Sequence, residues 1–545
     1  MALKTFKILI SSSILLFTSL IADPLVTRDD FSCYDTSNTG QTSLSYWPSI
    51  AIDAKGYIYQ INRGKVDTIW VHQFNVFDNY GNQTQPVINF LPEIINDTNW
   101  RAYANSPIYC NDAGNSLATI ISTPPFVYGD FLERDFGFIF DSTGSSIDEP
   151  ICFTCDPYYD EKIQGRPYGA INNSNVSAIV WEMILKESPT KDSVLVRLHY
   201  PDSDSLSPVL NLMELPHPLE EELIYEGDYD IFNDPSIGLA DDNSFAVSWI
   251  ARDSDFDWAH VYYVVYNADG TPRTDVMMAD CDGSFGDTAN CVSENVHRLD
   301  MMMAANGDFY IFWYEIHWTA PYHIHNHVWV RGFYPDGSPK YDAVRVNDAD
   351  TLWMQWGQNI QATLACDDSG NVLVAWSDAR LHPDNGFGIN SMDVYAQKID
   401  PAGNLVGPNM RINNIPGIAS VQGNGFDCDI NNAGQAVIIW RNYNQDIAIK
   451  AQLMPYDDVG RYAPGDINAD LSANIADLTT MVKFMFKGQQ NSFWPRDLVD
   501  FNGDSTSGNI LDLTYLVKYF FKGGPEPNTP DEGIRPNPGK FNPYE

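Results

Sequence analysis

The chain has 545 residues, with 72 acidic against 32 basic side chains and a formal net charge of −40. This charge excludes nucleic acid and anionic membrane as partners, because binding to phosphate needs a basic surface. Aromatic residues make up 13% of the chain and charged residues 19%, which favours a rigid, β-rich body over disorder. The length accommodates more than one domain.

The N-terminal residues 1–22 have the pattern of a secretory signal peptide. Lys4 and Lys7 form a basic start, an apolar run follows over residues 8–21, and Ala22 is a suitable last residue before cleavage. The apolar run is short for a membrane span, and no later stretch of the sequence qualifies as one. We therefore expect a secreted, extracellular protein, either free or associated with the cell surface.

From about residue 48 to residue 457 the chain repeats one β-rich unit: a strand, a turn, a second strand, a variable loop and a third strand. Each first turn carries glycine or asparagine, because hairpin turns need a positive φ. These turn residues are Gly56, Gly114, Asn175, Asn243, Gly307, Gly370 and Gly434. In the last five units a tryptophan follows six residues later, at Trp181, Trp249, Trp313, Trp376 and Trp440.

Turn residues at spacings of roughly 58 to 68 residues predict seven similar units. Repeated sheets of about four strands close most easily into a propeller, which leaves no long exposed edge. We predict a mainly β fold with a seven-bladed β-propeller over residues 23–457; a pair of β-sandwiches is the alternative. The seventh unit lacks a fourth strand, so we expect residues 24–45 to supply that strand and close the ring.

Eight cysteines in an exported chain are able to form disulfides. Cys281 and Cys291 bracket a short loop and are the best candidate pair. Cys152 and Cys155 are expected to form a local disulfide and not a redox centre. Three further cysteines lie in apolar, strand-like runs and are expected to be buried thiols: Cys110, Cys366 and Cys428.

Loops after the second strand of units four to seven carry polar and aromatic side chains, which a propeller would bring to one rim. The candidate ligand-binding residues are Arg252, Asp255, Trp258, Glu315, His317, Trp318, His323, His325, Asp378, Arg380 and Arg441. Tryptophans beside carboxylates suit sugar binding, clustered arginines suit a bound carboxylate, as in sialidases, and paired carboxylates suit glycoside hydrolysis. Sequence spacing identifies no catalytic pair, and charged surface loops are the alternative for each residue.

His323, His325 and His327 alternate, so on a strand all three side chains point to one side. With His317 nearby, they offer the imidazole ligands that Zn²⁺ and Cu²⁺ prefer. A solvated hairpin without metal is the alternative.

The C-terminal region contains one acidic motif twice. Oxygen-bearing side chains at alternate positions, closed by a carboxylate at the twelfth, match the spacing at which a loop wraps Ca²⁺. Each loop runs into an amphipathic helix, and the helices end at Gly488 and Gly523, where a left-handed cap is favourable. The second loop has one extra residue, so Asn509 and Asp512 sit one place late.

This tandem resembles a dockerin module, a calcium-dependent domain that docks secreted proteins onto cohesin receptors. The resemblance implies a small α-helical domain over residues 458–527 with up to two Ca²⁺ ions; residues 528–545 are expected to be a disordered tail. The implied calcium ligands are Asp466, Asn468, Asp470, Ser472, Asn474 and Asp477 in one loop, and Asp500, Asn502, Asp504, Thr506, Asn509 and Asp512 in the other. The implied partner contacts are Ile475, Ala476, Lys483, Ile510, Leu511 and Lys518. A helical hairpin with acidic turns is the alternative.

Three functions remain open from the sequence. The leading hypothesis is a secreted binding or assembly protein, whose propeller recognises a polysaccharide or protein and whose C-terminal module attaches it to a cohesin-like or cell-surface partner. The rival is a glycoside hydrolase or sialidase-like enzyme carried by the same module. The third is a structural surface-layer component. Carboxylates facing each other across a cleft would favour the enzyme, whereas an aromatic platform without such a pair would favour the binding protein.

Overall fold

The protein was analysed as a computed structural model. It describes residues 31–34, 46–66, 69–90, 101–102, 107–123, 134–147, 149–155, 162–164, 167–185, 188–215, 232–252, 259–281, 296–320, 323–347, 362–378, 392–413, 419–420, 426–442, 449–455, 475–487, 501–502 and 509–525. All structural statements below concern these residues.

The described strands form seven antiparallel sheets, here called blades 1 to 7. Strand β1 (Phe31–Tyr34) comes first in the chain and belongs to blade 7. Blade 1 contains β2 (Tyr46–Ile52), β3 (Ile58–Val66), β4 (Ile69–Phe77) and β5 (Ile88–Phe90). Blade 2 contains β6 (Arg101–Ala102), β7 (Ile108–Cys110), β8 (Ser116–Thr123), β9 (Arg134–Phe140) and β10 (Ile151–Cys152). Blade 3 contains β11 (Lys162–Gln164), β12 (Tyr168–Ile171), β13 (Ser177–Leu185), β14 (Ser188–Tyr200), β15 (Ser205–Leu206) and β16 (Leu210–Asn211).

Blade 4 contains β17 (Phe232–Leu239), β18 (Phe245–Arg252), β19 (Ala259–Tyr266) and β20 (Met277–Met278). Blade 5 contains β21 (Val296–Met303), β22 (Phe309–Ala320), β23 (His323–Phe333) and β24 (Val344–Arg345). Blade 6 contains β25 (Ala362–Cys366), β26 (Val372–Asp378), β27 (Asp393–Ile399) and β28 (Leu405–Arg411). Blade 7 contains β29 (Ala419–Ser420), β30 (Phe426–Ile430), β31 (Gln435–Asn442), β32 (Ile449–Pro455) and β1.

The seven blades form a closed ring around a central channel. Their inner strands β2, β7, β12, β17, β21, β25 and β30 contact one another in that order, and β30 contacts β2. Strand β1 pairs antiparallel with β32, with Phe31 opposite Ala451, and so supplies the outer strand of blade 7. The predicted seven-bladed β-propeller and its closure by the N-terminal segment are therefore confirmed.

Tryptophan fills the interfaces between the later blades. Trp376 of blade 6 packs in one apolar cluster with residues of blade 5, and Trp440 of blade 7 packs in another with residues of blade 6. The five tryptophans that follow the turns are at most 1% exposed. Their regular spacing in the sequence therefore reflects one buried position, which is repeated from blade to blade and always faces the preceding blade.

Blade 1 replaces this tryptophan with a polar side chain, Asn62. Asn62 Nδ2 donates to Gln73 Oε1 (3.1 Å), and Gln60 Nε2 donates to Asn62 Oδ1 (3.0 Å). Asn75 Nδ2 extends the network by donating to Gln60 Oε1 (2.7 Å), and all four side chains are fully buried. Each amide has its hydrogen bonds inside the sheet, which removes most of the cost of burying polar groups.

The hairpin turns between first and second strands lie at one end of the channel, which we call the hairpin end. All seven predicted turn residues have positive φ, from 60° at Asn175 to 89° at Gly114. The sequence signal for the blades is thus a backbone requirement of these turns. The longer connections from blade to blade begin at the opposite end, which we call the loop end.

Two C-terminal helices, α1 (Ile475–Lys487) and α2 (Ile510–Lys522), pack against each other. Met481 of α1, Leu516 of α2 and Phe501 are fully buried in their shared apolar cluster. Asn509 caps α2, and Gly523 ends it in the left-handed conformation that was expected there. Neither of these described helices combines the length and the apolar composition that crossing a membrane requires.

The cysteines largely follow the expectations from the sequence. Cys152 and Cys155 form a local disulfide. Cys281 is also disulfide-bonded, while Cys291, its expected partner, lies outside the described residues. The three cysteines of the apolar runs are free thiols, and burial raises the pKa of each well above the usual range: Cys110, Cys366 and Cys428. A thiol held neutral in this way is a weak nucleophile.

Candidate functional site in the channel

The inner strands enclose a cavity of about 250 Å³. All seven blades contribute to its lining, which is polar as well as apolar. A cavity of this kind, with a few convergent polar groups, is the usual form of a small-ligand site. The polar groups in its wall therefore decide what it is able to bind.

One layer of this wall lies seven residues before each turn residue. We call its polar members the channel belt, all of which except Ser236 line the cavity: Ser49, Ser236, Asp300, Thr363 and Asp427. Ser236 Oγ donates to Asp300 Oδ1 (3.0 Å), and Thr363 Oγ1 lies 3.4 Å from Asp300 Oδ2 and 3.2 Å from Asp427 Oδ1. Ser49 Oγ donates to Asp427 Oδ2 (2.5 Å). The belt thus connects blades 4, 5, 6, 7 and 1 side by side.

Carboxylates of β30 also hold blade 7 against blade 1. Ile50 N–H donates to Asp427 Oδ2 (3.0 Å), and Ile52 N–H donates to Asp429 Oδ2 (2.8 Å). Inner strands of neighbouring blades share no hydrogen-bonded ladder in the described sheets. Aspartate side chains therefore satisfy backbone donors of β2 that face the neighbouring blade.

Burial raises the pKa of these channel carboxylates. For Asp300 the pKa rises to about 7, first through burial and then through the negative charge of Asp427. Burial also raises the pKa of Asp427 to about 6 and that of Asp429 to about 7. The three side chains are only partly exposed, and they face the cavity among the inner strands. Desolvation disfavours their charged forms, which places their titration near neutral pH.

The hydroxyl group of Thr363 contacts both Asp300 and Asp427. A hydroxyl carries one proton, so Thr363 donates to only one of the two carboxyl groups at a time, and its oxygen is able to accept from the other when that group is protonated. Its two contacts also limit the distance between Asp300 Oδ2 and Asp427 Oδ1 to the sum of 3.4 Å and 3.2 Å. The channel therefore contains two neighbouring carboxyl groups that are linked through one hydroxyl group, and burial raises the pKa of both.

Arg298 adds a cationic group to the same wall. It lies two residues before Asp300 in β21 and lines the cavity. Residues two apart on a strand point to the same side, so Arg298 lies on the loop-end side of the carboxyl pair. A guanidinium beside carboxyl groups is suited to hold an anionic or hydroxyl-bearing ligand.

The residues predicted for the rim of blade 5 lie in strands and not in a loop. The two long strands β22 and β23 extend past Trp313, and His317 lies opposite His325 and Trp318 opposite Ile324. His323 begins β23. The side chains of the predicted site residues His317, Trp318, His323 and His325 are outside the described set. Glu315 is 1% exposed and accepts from His327 Nδ1 (2.8 Å) and Trp329 Nε1 (3.0 Å). Glu315 is thus held inside the blade and does not line the channel cavity.

The predicted residues of blades 6 and 7 are likewise buried at strand ends. Asp378 ends β26, is 0% exposed, and accepts from Trp376 Nε1 (3.1 Å). Asp393 lies directly opposite it and accepts from Asn413 Nδ2 (2.8 Å). Arg441 lies in β31 and is 2% exposed, so it does not stand on an open rim. Strands β26 and β31 continue for two residues after Trp376 and Trp440, so Asp378 and Arg441 lie within the blades and not in the loops.

Arg252 ends β18, but its side chain is outside the described set. Asp255, Trp258 and Arg380 lie entirely outside the described residues. The structure therefore brings Glu315, Asp378 and Arg441 into the interior of separate blades and leaves the other rim predictions as predictions.

One further cluster offers three potential metal ligands. Atoms of His260, Asp280 and Cys281 lie within 4.8 Å of one another, and His260 Nδ1 is 2.7 Å from Asp280 Oδ2. Because Cys281 is disulfide-bonded, its sulfur is not a thiolate, and the cluster does not fit a metal site. Asp280 instead accepts from Val261 N–H (3.2 Å), which fixes the outer edge of blade 4.

The contact made by Asp280 recurs in two other blades. Asn347 Oδ1 accepts from Val328 N–H (2.9 Å), and Asn413 Oδ1 accepts from Val394 N–H (2.7 Å). Each acceptor follows its donor by nineteen residues, so the spacing is itself part of the repeat. These side chains cap the outer edge of the sheet near the loop end, a structural role that the sequence reading missed.

Part of the predicted calcium module is described. Asp512 is 0% exposed and accepts from Asn509 N–H (2.9 Å) and Asn502 N–H (3.3 Å). The backbone of Asp477 lies in α1, but its side chain is outside the described set. The remaining predicted ligands lie outside the described residues: Asp466, Asn468, Asp470, Ser472, Asn474, Asp500, Asp504 and Thr506. A buried carboxylate bonded to both ends of the second loop fits a closing ligand for Ca²⁺, since each oxygen keeps a second lone pair.

Four of the predicted partner contacts are exposed on the helices. Ile475, Ile510 and Leu511 are 64%, 54% and 59% exposed, and Lys518 is also exposed. Ala476 and Lys483 lie in α1, with side chains outside the described set. The structure places the described contacts on the surface of the helix pair.

The channel residues Asp300, Thr363, Asp427 and Asp429 were not among the candidates from the sequence. They lie in short inner strands among apolar residues, and Asp427 and Asp429 share one strand, so no long-range contact is evident from their local sequence. Aligning the seven units on their turn residues would have found three of them, because Asp300, Thr363 and Asp427 share one offset. An inner-strand position that is polar in several units indicates a group facing the channel.

No family model and no curated protein matches the sequence. Solved structures with a similar fold include an ulvan lyase from a polysaccharide lyase family, at 10% identity over 76% of this chain and 96% of that chain, with a TM-score of 0.43. Others are an α-L-arabinanase from Penicillium chrysogenum (8% identity, 79% and 99% of the chains, TM-score 0.38) and an α-L-arabinofuranosidase from Fusarium graminearum (9%, 79% and 99%, TM-score 0.39). With TM-scores below 0.5, these similarities carry no argument about activity.

Proposed function

We propose that the propeller channel binds and hydrolyses a saccharide, with Asp300 as general acid and Asp427 as general base. The observation that carries this proposal is the pair of carboxyl groups joined through Thr363 in the cavity wall. Inverting glycoside hydrolases use two carboxyl groups about 6.5 to 9.5 Å apart, one of which has a raised pKa, and the two contacts of Thr363 (3.4 Å and 3.2 Å) allow a separation at the lower limit of that range. Burial raises the pKa of Asp300 to about 7 and that of Asp427 to about 6, so Asp300 is the better proton donor of the two near neutral pH.

The proposed reaction balances as a hydrolysis. Asp300 donates its proton to the glycosidic oxygen as the bond from that oxygen to the anomeric carbon breaks. Asp427 accepts a proton from the water that adds to the anomeric carbon, and solvent exchange returns both carboxyl groups to their starting states. Thr363 orients the two groups, and Arg298 contacts a substituent of the bound sugar.

We further propose that the C-terminal helix pair is a calcium-dependent, dockerin-like adaptor that attaches a secreted propeller to a cohesin-like or cell-surface protein. Support comes from the repeated acidic loops, the packing of α1 against α2 and the buried Asp512 carboxylate. The exposed apolar residues Ile510 and Leu511 at the start of α2 suit a protein partner.

Asparagine variants of the two channel carboxyl groups test the enzyme proposal. The full-length protein is incubated with a panel of plant, algal and sialylated polysaccharides, and released reducing sugar is measured. Asp300→Asn and Asp427→Asn should each lower release by at least about 100-fold, as loss of an acid or base does, while the exposed Asp202→Asn control retains full activity. Undiminished release by both channel variants would refute the assignment.

A saccharide-binding protein without catalytic activity is the second candidate, and the hydrogen bonds that hold the Asp427 side chain in place favour it. This side chain accepts four hydrogen bonds from the protein, from Ser49 Oγ, Ile50 N–H, Thr363 Oγ1 and Cys428 N–H. A carboxylate that is so fully engaged serves well as a fixed acceptor for sugar hydroxyls. Glycan binding by calorimetry without any released sugar would select this function, and an absence of both would leave the structural surface role.

A further inference from the structure

Six residues at the hairpin end of the channel form a second polar layer. Each lies two residues before the turn residue of its blade, from blade 2 to blade 7. We call this layer the mouth ring: Asp112, Asn173, Asp241, Ala305, Asp368 and Asn432. All six residues line the channel cavity, so the ring lies where the cavity reaches the hairpin end.

The ring is a continuous circuit of hydrogen bonds. Asn173 Nδ2 donates to Asp112 Oδ2 (3.3 Å) and Asp241 Oδ2 (3.1 Å). Asn432 Nδ2 donates to Asp112 Oδ1 (3.0 Å) and Asp368 Oδ2 (2.6 Å), and its bond to Asp112 passes blade 1. Asp241 N–H donates to Ala305 O (3.1 Å), and Ala305 N–H donates to Asp368 Oδ1 (2.8 Å), which completes the circuit.

The donors and acceptors of the ring match one another. With the bond from Asn173 N–H to Asp241 Oδ1 (3.0 Å), all six oxygens of the three carboxylates accept a hydrogen bond from another member. The side-chain oxygens of Asn173 and Asn432 accept from Asp112 N–H (3.0 Å) and Asp368 N–H (2.8 Å). The direct contacts between neighbouring members hold these side chains together around the channel mouth, so a polymer wider than the opening would have to break several hydrogen bonds at once to pass.

The carboxyl pair lies well inside the channel from the other end. Asp300 is the fifth residue of β21, which starts at the loop end. Because β21 is irregular between Val296 and Arg298, Asp300 lies three residue steps of the partner strand β22 from the strand start, or roughly 10 Å at about 3.3 Å per step. The middle of a polymer lying across the loop end would stay at about that distance from Asp300, whereas a chain terminus is able to enter the channel lengthwise.

From this geometry we infer that the channel is a one-ended pocket, entered from the loop end, and that its ligand is the terminus of a saccharide chain. The inference rests on the proposed saccharide function and specifies its substrate class: chain ends and short oligosaccharides, and not internal segments of a polymer. Cleavage then removes small products from one end of the chain.

End-capped glycans test this inference. For each polysaccharide bound or cleaved by the full-length protein, the matching hexasaccharide is prepared free, with a bulky fluorophore at its reducing end, and with a bulky acetal at its non-reducing end. One of the two caps should weaken binding or cleavage at least tenfold, while the other leaves it unchanged. Cleavage should release small products with little early loss of polymer viscosity. Rapid loss of viscosity, or equal action on both capped forms, would overturn the inference but not the saccharide function.

The ring is tested separately and without a glycan. In native hydrogen exchange, the Asn173→Ala/Asn432→Ala double variant should exchange the amides of Asp112 and Asp368 at least tenfold faster than the unaltered protein. Asn404→Ala is the matched control, because Asn404 Nδ2 donates to Asp400 Oδ2 (2.9 Å) in an outer turn of blade 6. Exchange of both amides at unprotected rates in the unaltered protein would overturn the one-ended channel. If no glycan in the panel is bound or cleaved, the proposed function fails and this inference fails with it.

Discussion

Replacing Asp300 by asparagine should reduce the pH dependence of propeller stability. The pKa of Asp300 is raised from 3.8 to about 7 in the folded protein, so the folded state holds its proton more tightly than the unfolded chain does. Its contribution to stability is then fully present below about pH 4 and is lost as pH rises through 7. For this single group, linkage gives a loss of about 2.6 kcal/mol between pH 5 and pH 8.

The corresponding change in melting temperature is small but measurable. Unfolding entropies of about 2.1 cal/mol/K per residue, over a propeller of about 400 residues, convert about 2.6 kcal/mol into about 3 °C. Scanning calorimetry of the full-length protein at pH 5 and pH 8 should therefore show a drop in melting temperature that is about 3 °C smaller for Asp300→Asn than for the unaltered protein. The Asp202→Asn control should keep the full drop. An equal drop in Asp300→Asn would show that Asp300 ionises normally, and the role of Asp300 as an acid would then be refuted.

Three further predictions concern packing, closure and calcium. Trp376→Ala should destabilise the propeller by about 3 to 5 kcal/mol in chemical denaturation, because it empties a fully buried site between blades 5 and 6; a loss below 1 kcal/mol would contradict this packing. Deleting residues 31–34 should lower the melting temperature, since β32 loses its partner strand, whereas deleting residues 528–545 should not. Calcium should raise the temperature of a C-terminal transition in calorimetry of the full chain, and Asp512→Asn should reduce that rise; identical traces with chelator and with calcium would exclude the calcium module.

The blades were predictable because their signals are local. Each turn needs a residue that accepts positive φ, and each later interface needs a tryptophan at one fixed distance from that turn. Ring closure followed from counting strands, because a closed ring leaves no blade short of its outer strand. The same reasoning predicted the free thiols in the apolar strands, of which Cys428 is buried while Cys110 and Cys366 are partly exposed.

The channel site was not predictable in the same way, because its members are far apart in sequence. Thr363 connects Asp300 to Asp427, which are separated by 127 positions of the sequence and belong to different blades, and no local pattern indicates that contact. The rim candidates drew attention through local density of charge, yet Glu315 lies within a long buried strand and Asp378 at a buried strand end, and each accepts a hydrogen bond from a tryptophan indole. Whether a charge lies in a loop or in a strand end depends on where the strand stops, which short-range sequence signals place only to within a few residues.

The pairing of β1 with β32 joins the two extremities of the propeller chain. The partner of Phe31, Ala451, lies roughly 420 residues later in the chain. At ordinary rates of synthesis, β1 of the nascent chain therefore stays unpaired for about 20 to 80 s. Folding in which the last contact is also the most distant one is slow and leaves sheet edges open to other chains. We therefore expect the first appearance of native protein to coincide with the emergence of β32, and truncation just before β32 to yield aggregate in place of a six-bladed product.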